Sequence, residues 1–363
     1  MDMCDVRKAQ WERQSMDMSD VRRALLEKQA NDPFLQENVN RWVILPLEFE
    51  PMWTAFKAYQ DTFWASEDVQ ADQEMALLES AAENLPLNFI SSLTNVILLR
   101  SALVHGRSPE DEPILADLTE ITCELLSEIQ IPEARAFFSF QGSYEVIHKE
   151  AFNAFLPVLL TGQTGLDVTA EEHRPIATAM EAYCQAGEDK AQWILRHCKN
   201  DATPKPMAEK LAAYAILKMM MSADILMING LLSKAGVDGA LSKGLSNIIR
   251  QEQLQGVFAA TLYSGLRDRL TDTVLDFLLN EAIALETAHL KRVGLVAAQG
   301  MVEWLAQRVK VALGAASTID GSQTYAFLGL APVSVPVPPK RVPANLKDKK
   351  PEEAKTFALG EDF

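Results

Sequence analysis

Glu145 and His148 stand three apart in GSYEVIHKEAF (142–152), an E-x-x-H. On a helix, positions i and i+3 share a face. Helical bundles use this spacing to turn a carboxylate and an imidazole toward a pair of metal ions. Phe152 follows His148 by four residues, one turn on. Whether the chain completes a metal site depends on the helices that would carry the other ligands.

Those helices are plentiful. Apolar residues at helical spacing, with Gly and Pro between the runs, predict helices from about Pro51 and near 72–104, 114–129, 133–161, 170–198, 205–234, 244–264, 268–292 and 295–314. Trp53, Phe56, Tyr59 and Phe63 line one face of the first. No convincing strand with period two is present. The expected fold class is all-α, a helical bundle with an extended N-terminal arm (1–40), a helical domain (41–316) and a C-terminal tail (317–363). In the arm, MDMCDVRKAQWERQ (1–14) recurs as MDMSDVRRALLEKQ (16–29), a 15-residue shift. It reads as a tandem duplication in a solvated arm, with a partner-binding arm as the alternative. Two copies are too few for a solenoid. In the tail, APVSVPVPPKRVP (331–343) cannot be helix, because proline lacks the N–H and fixes φ. It is expected to be an extended, mobile linker leading to the apolar-acidic peptide KTFALGEDF.

Composition narrows the function. The 363 residues carry a net charge of −16 and are 48% apolar. So acidic a chain argues against a nucleic-acid partner, because phosphate binding needs a basic face. Cys4, Cys123, Cys184 and Cys198 form no C-x-x-C pair and read as reduced thiols of a cytosolic or nuclear protein, with a cytoplasmic location expected. No signal peptide is evident. The longest apolar run, AILKMMMSADILMINGLL, is interrupted by Lys218 and Asp224, so it reads as a buried bundle helix rather than a membrane span. GQTGLD (162–167) has no Walker pattern and reads as a turn. G-x-S-x-G nucleophile motifs are absent. His105, His173, His197 and His289 share no ligand spacing and read as surface or loop residues, and the Met219–Met221 run as core filling.

Several segments resemble one family, the radical-bearing small subunit of class I ribonucleotide reductase. RWVILPLEFEPMWTAFKAYQDTFWASEDV resembles its entry segment, and EIQIPEARAFFSFQGSYEVIHKEAF its most recognisable helix pair. EKLAAYAILKMMMSADILMINGLLSK and SNIIRQEQLQ resemble the second half of its bundle, and FALGEDF its C-terminal docking peptide. The resemblance spans about 41–314 plus the tail. It implies a ferritin-like bundle whose inner helices hold two metal ions with four carboxylates and two histidines.

Carried over residue by residue, the pattern is incomplete. Glu145 and His148 match the first E-x-x-H, while Phe152 stands where the radical tyrosine is expected. One subclass also has Phe there and relies on a manganese–iron pair. The third-helix glutamate aligns with Lys218, and the second E-x-x-H reads Glu252-Gln253-Leu254-Gln255, so its histidine is Gln255. The early aspartate falls at Ser101 or Ile114, depending on the anchor of the alignment; Asp111 and Asp117 are nearby but out of frame. Trp64 matches the tryptophan of the radical route, and Gln251 replaces the aspartate that links it to the histidine. The tail lacks the relay tyrosine; Tyr325 lies before the proline segment.

A lysine in place of a glutamate shifts local charge by two units toward positive and opposes divalent-cation binding. It also suits the buried carboxylates, which need a counter-charge once no metal is there. Lys218 is therefore expected to pair with Glu145 or Glu252; a misregistered helix with Lys218 outward is the bland alternative. The resemblance then implies a small-subunit-like component of ribonucleoside-diphosphate reductase that does not make the radical, without a cofactor, or with iron or manganese at a degraded site. Its expected partners are the large subunit, through Phe357, Leu359, Asp362 and Phe363, and another small subunit, as homodimer or heterodimer with a competent one. The alternatives are an active subunit with metal-free or mononuclear radical chemistry, with Tyr144 the candidate radical residue, and a scaffold with an unrelated binding role.

Overall fold

The computed structural model describes residues 18–69, 74–105, 117–164, 189–200, 203–296, 300–317 and 325–340, with backbone alone at 102–105 and 162–164. Among these residues there are helices and no strand. Helix α1 covers 18–29, followed by α2 (Glu50–Gln60), α3 (Glu74–Ser80), α4 (Phe89–His105), α5 (Leu118–Glu128), α6 (Pro132–Thr164) and α7 (189–198). Then come α8 (Met207–Met219), α9 (Ala223–Ala235), α10 (Ala240–Gly265), α11 (Asp272–Arg292) and α12 (Met301–Ala312).

The 33-residue α6 organises one half, lying against α2, α4 and α5; α8 against α10 organises the other. An aromatic column ties the halves together. Phe137 of α6 stacks on Phe258 of α10, with centroids 3.7 Å apart, and Tyr59 of α2 stacks on the same Phe137 at 4.4 Å. Each such pair is worth about 0.5–1.5 kcal/mol beyond its buried area. The approach of α8 to α10 requires Gly256, where a Cβ would lie 2.4 Å from Met219 Cγ and 3.4 Å from Lys218 Cβ.

Two long helices expected from periodicity are each divided. The 72–104 stretch is α3 and α4, separated at Leu85–Asn88, where Pro86 lacks an N–H and Asn88 takes a left-handed φ of 66°. The 205–234 stretch breaks between Met219 and Ala223. There the amides of Met220 and Met221 both donate to Ile216 O (3.0 and 3.1 Å), the second an i→i−5 bond of π-helical type. By length and composition the 207–235 stretch would pass for a membrane span, but its side chains from Met207 to Ile228 are buried inside the bundle. GQTGLD is not wholly a turn, because α6 continues to Thr164.

The arm and tail differ from expectation where they are described. The first copy of the duplication lies outside the described residues. The second is no solvated extension: α1 buries Met18 and Leu25 against the bundle. Arg22 donates to both oxygens of buried Glu209 on α8 (2.8 and 2.5 Å). In the tail, residues 331–340 are neither helix nor strand, as their prolines require, but they run along the bundle. Their burial repeats every three residues, with Val333, Pro336 and Pro339 inward and their neighbours exposed. Three residues per turn is the period of polyproline II. Arg308 donates to Ala331 O (2.7 Å), and Pro339 meets Gly265 at the end of α10. This strap is thus part of the bundle surface. Residues 341–363 lie outside the described residues, as do the docking positions Phe357, Leu359, Asp362 and Phe363.

Candidate functional site

The residues singled out from sequence converge between α6, α8 and α10. Glu145, His148 and Phe152 occupy three successive positions of one α6 face and are buried. The α8–α9 break sets Lys218 on one side and Ser222 on the other, both toward α10. The carbonyls it frees at Lys218 and Met219 accept from Gln253 Nε2 (3.4 and 3.3 Å).

Lys218 Nζ donates to Glu145 Oε1 at 2.8 Å and lies 3.9 Å from Glu252 Oε1. Lysine and glutamates alike are nearly inaccessible, at 1, 1 and 5% exposure. Burial pushes the Glu145 carboxyl up, but the Lys218 ammonium and its hydrogen bond outweigh that and hold it below its ordinary value. Burial opposes the charge on Lys218, and Glu145 foremost, then Tyr214 and Glu252, more than restore it, so its pKa is raised. Gln141 Nε2 gives Glu145 Oε1 a further bond (3.2 Å), and Ser222 Oγ donates to Glu252 Oε2 (2.5 Å).

A second cation went unforeseen. Arg100 of α4 sits 3.7 Å from Glu252 Oε1 and donates through Nε to Asp224 Oδ2 (3.3 Å) and through Nη2 to Asp224 Oδ1. Its Nη2 also donates to Met221 O, another carbonyl of the break (3.1 Å). Burial raises the Asp224 carboxyl, but Arg100 overrides it and holds Asp224 well below the usual carboxylate range. His289 completes this cluster with its Nε2 2.9 Å from Asp224 Oδ2. The surface-or-loop reading of His289 and His197 is therefore corrected: both are buried against carboxylates, His197 with its Nδ1 2.7 Å from Glu209 Oε1. The signal was available, since Arg100 and Asp224 are charges inside apolar runs and a buried charge demands a partner.

The early-aspartate position remains divided between Ser101 and Ile114. Ser101 is buried on α4, its Oγ without a partner among the described residues, and Ile114 lies outside them. Asp117 caps α5, accepting from Thr119 N (2.8 Å), and is not part of the cluster.

Trp64, Gln251 and His148 form a continuous chain. Gln251 Nε2 donates to Thr62 O (2.9 Å), which fixes its flip. Its Oε1 then accepts from Trp64 Nε1 (3.1 Å) and His148 Nε2 (2.7 Å). His148 thus carries its proton on Nε2, and burial pushes its pKa down, favouring the neutral ring. Gln255 takes no part in the ionic cluster: its Nε2 donates to Tyr59 OH (2.7 Å) and its Oε1 has no partner among the described residues. Tyr144 turns away from Glu145, its hydroxyl donating to Tyr59 O (3.2 Å). Among the described residues, no three His, Cys, Asp or Glu side chains gather as a metal-ligand set.

A family model described as "Ribonucleotide reductase, small chain" matches residues 41–314. Curated small chains of ribonucleoside-diphosphate reductase are similar in sequence. That of Neurospora crassa is 23% identical over 82% of this chain and 69% of its own length. That of Dictyostelium discoideum is 24% identical over 82% and 83%. Among solved structures, the ribonucleotide reductase Rnr4 homodimer from Saccharomyces cerevisiae superposes with a TM-score of 0.65 at 17% identity, covering 86% of this chain and 96% of that one. Dimanganese(II)-NrdF of Streptococcus sanguinis superposes at 0.53 with 12% identity, covering 81% and 98%. At these identities the structural likeness speaks for the fold, a ferritin-like helical bundle.

Proposed function

The chain belongs to the ribonucleotide reductase small-chain family, and from that premise we propose that it is a structural or regulatory small subunit that does not itself generate the radical. The observation that carries this reading is Lys218 Nζ, 2.8 Å from Glu145 and 3.9 Å from Glu252. A cation fixed between the two carboxylates balances their charge in the manner of a metal ion and opposes the entry of one. Arg100 adds a second positive group beside Glu252. The donor set therefore fits a dimetal centre poorly: where the family pattern implies four carboxylates and two histidines, it offers Glu145, His148 and Glu252 facing two cations. Phe152 adds that no phenol stands one turn after His148.

In this reading the fold serves assembly. The bundle pairs with a second small subunit, as the name of the Rnr4 homodimer records for that relative. The peptide around Phe357, Leu359, Asp362 and Phe363 docks on the large subunit. Purified alone, the chain is expected to hold no stoichiometric iron or manganese and to give no radical signal. Two metal equivalents per chain by elemental analysis, or a radical by electron paramagnetic resonance, overturns the proposal. One observation favours a second reading, an active subunit with unusual radical chemistry: the Trp64–Gln251–His148 chain is continuous. Its central link is a neutral amide, which carries no charge to drive proton-coupled transfer, so it ranks behind the first. A metal-free radical signal in the same spectrum would favour it.

A further inference from the structure

A cavity of about 250 Å³ opens where the loop after α1 meets the start of α6. Phe49, Ile131 and Pro132 give it an apolar wall, and Glu37, Glu48 and Arg41 also line it. Arg41 is engaged through its two terminal nitrogens, which donate to both oxygens of buried Glu133 (2.8 and 2.7 Å). The amides of Glu48 and Phe49 donate to the same carboxylate (2.8 and 3.1 Å). The Arg41 side chain is 7% exposed, and its Nε has no partner among the described residues. With Arg41 balanced by Glu133, the two glutamates leave the cavity with an excess of negative charge. A fitting occupant therefore combines three features. It carries an acceptor for Arg41 Nε, because a buried donor left unpaired costs about 1–3 kcal/mol. It carries a cation for Glu37 and Glu48, and apolar carbon for the wall. Size narrows the choice further: the cavity is smaller than the roughly 300–1,000 Å³ of a small-molecule site, and suits a side chain with its stretch of backbone.

A peptide in which apolar residues follow a basic one has all three features, and the chain itself brings one to the spot. The described strap ends at Lys340, and Arg341, Val342 and Pro343 come next. Pro339 and the Phe34 ring lie 2.9 and 2.5 Å from the point where a Cβ on Gly265 would stand, so they are neighbours. Phe34 is also joined to the cavity wall. Its carbonyl accepts from Gln130 N (2.8 Å), and its ring lies edge-on to Phe49 with centroids 5.4 Å apart. Gln130 and Phe49 both line the cavity. One aromatic residue thus separates Pro339 from the cavity, and two residues of extended chain span up to about 7 Å. We propose that residues 341–343 seat in this cavity. Arg341 faces Glu37 and Glu48, a backbone carbonyl of the segment accepts from Arg41 Nε, and Val342 and Pro343 cover the apolar wall. Charge and tethering both select this occupant. Residues 340–350 hold five bases and one acid in a chain of net charge −16. A segment already anchored at Pro339 acts at an effective concentration on the order of millimolar, ahead of a free basic peptide. The seat goes beyond the small-subunit reading and does not depend on it: it closes the root of the tail onto the bundle, whatever the far end binds.

Amide hydrogen exchange of the full-length chain, read by mass spectrometry, tests this. Amides in 341–344 are expected to exchange about tenfold more slowly than those in 351–356. Arg341→Glu is expected to remove that protection from the tail side, and Glu37→Gln to weaken it severalfold from the cavity side. Glu37 is exposed, so its variant is expected to keep the wild-type urea midpoint. Lys349→Glu, beyond the seat, is expected to leave the protection in place. A synthetic peptide of residues 338–350 is expected to bind the Arg341→Glu chain, whose cavity is vacated, and not the wild-type chain. Unprotected amides in the wild-type chain overturn the proposal. Protection that survives both Arg341→Glu and Glu37→Gln puts the segment elsewhere and overturns the seat. Saturable binding of the peptide to the wild-type chain shows a cavity open to an outside ligand and overturns the tail as its occupant. The radical-free reading fails separately, on metal content and the radical spectrum.

Discussion

Lys218, Glu145 and Glu252 act as a unit, so removing one member exposes the others. Lys218→Met leaves buried Glu145 without its nearest cation and Glu252 with Arg100 alone, and is expected to cost about 3–5 kcal/mol in urea unfolding. The double variant Lys218→Met, Glu145→Gln is expected to recover most of that, because both charges leave together. If the single variant is as stable as wild type, Lys218 does not serve as counter-charge. The same side chains set a pH response. The folded-state pKa of His148 is depressed by burial, so as pH falls through about 6.5 the unfolded chain takes up a proton that the folded one refuses. Stability is therefore lost below that point. The folded-state pKa of Glu145 is also depressed, and its contribution, complete above about 4.5, is lost as pH falls further. His148→Gln is expected to flatten the urea-midpoint profile between pH 5 and 6.5, where one such group adds up to about 1.4 kcal/mol per pH unit. Sequence register was enough to bring Lys218 opposite Glu145, because α6 and α8 are regular up to those positions. It could not supply Arg100 and Asp224, whose partnership joins α4 to a residue beyond the α8–α9 break.

At the scale of elements, the break and Gly256 work together. Gly256 lets α8 come so close to α10 that Lys218 reaches across to α6, and the break then turns Ser222 toward Glu252. Gly256→Ala puts a methyl 2.4 Å from Met219 Cγ. It is expected to destabilise by about 1–3 kcal/mol, with partial recovery when Met219 is shortened to Ala. A Gly256→Ala variant with an unchanged urea midpoint would mean that the two helices have room to spare. Among the described residues, helix existence was legible from α2 onward, since apolar spacing alone marks each run. The divisions were not. Pro86 signalled the first, but the second has neither Gly nor Pro: its freed carbonyls are satisfied by Gln253 and Arg100, partners that only the tertiary structure brings there. The burial of α1 was equally hidden, because its anchor Arg22 looks like any other charge of a polar helix until Glu209 is seen opposite it.

For the whole molecule, the proposed assembly makes the C-terminal peptide indispensable. Deleting residues 357–363 is expected to abolish binding to the large subunit in co-sedimentation while leaving the bundle's urea midpoint unchanged; binding that survives the deletion removes the peptide from the interface. The proline segment was legible as extended, because its φ angles are fixed locally, but not as docked, because docking depends on Arg308 and Gly265 far away in the chain. Docking changes the geometry of the search for a partner. Were the tether to begin where the helical domain was expected to end, at 316, Phe357 could lie about 150 Å away, at up to 3.6 Å per residue. Counted from Lys340, the last residue of the strap, the limit is about 60 Å. Effective concentration falls roughly as the −3/2 power of tether length. Shortening the tether from 41 residues to 17 raises it about fourfold. The leash is clipped to the body near the end of α10, so the large subunit would meet the peptide on that side of the bundle.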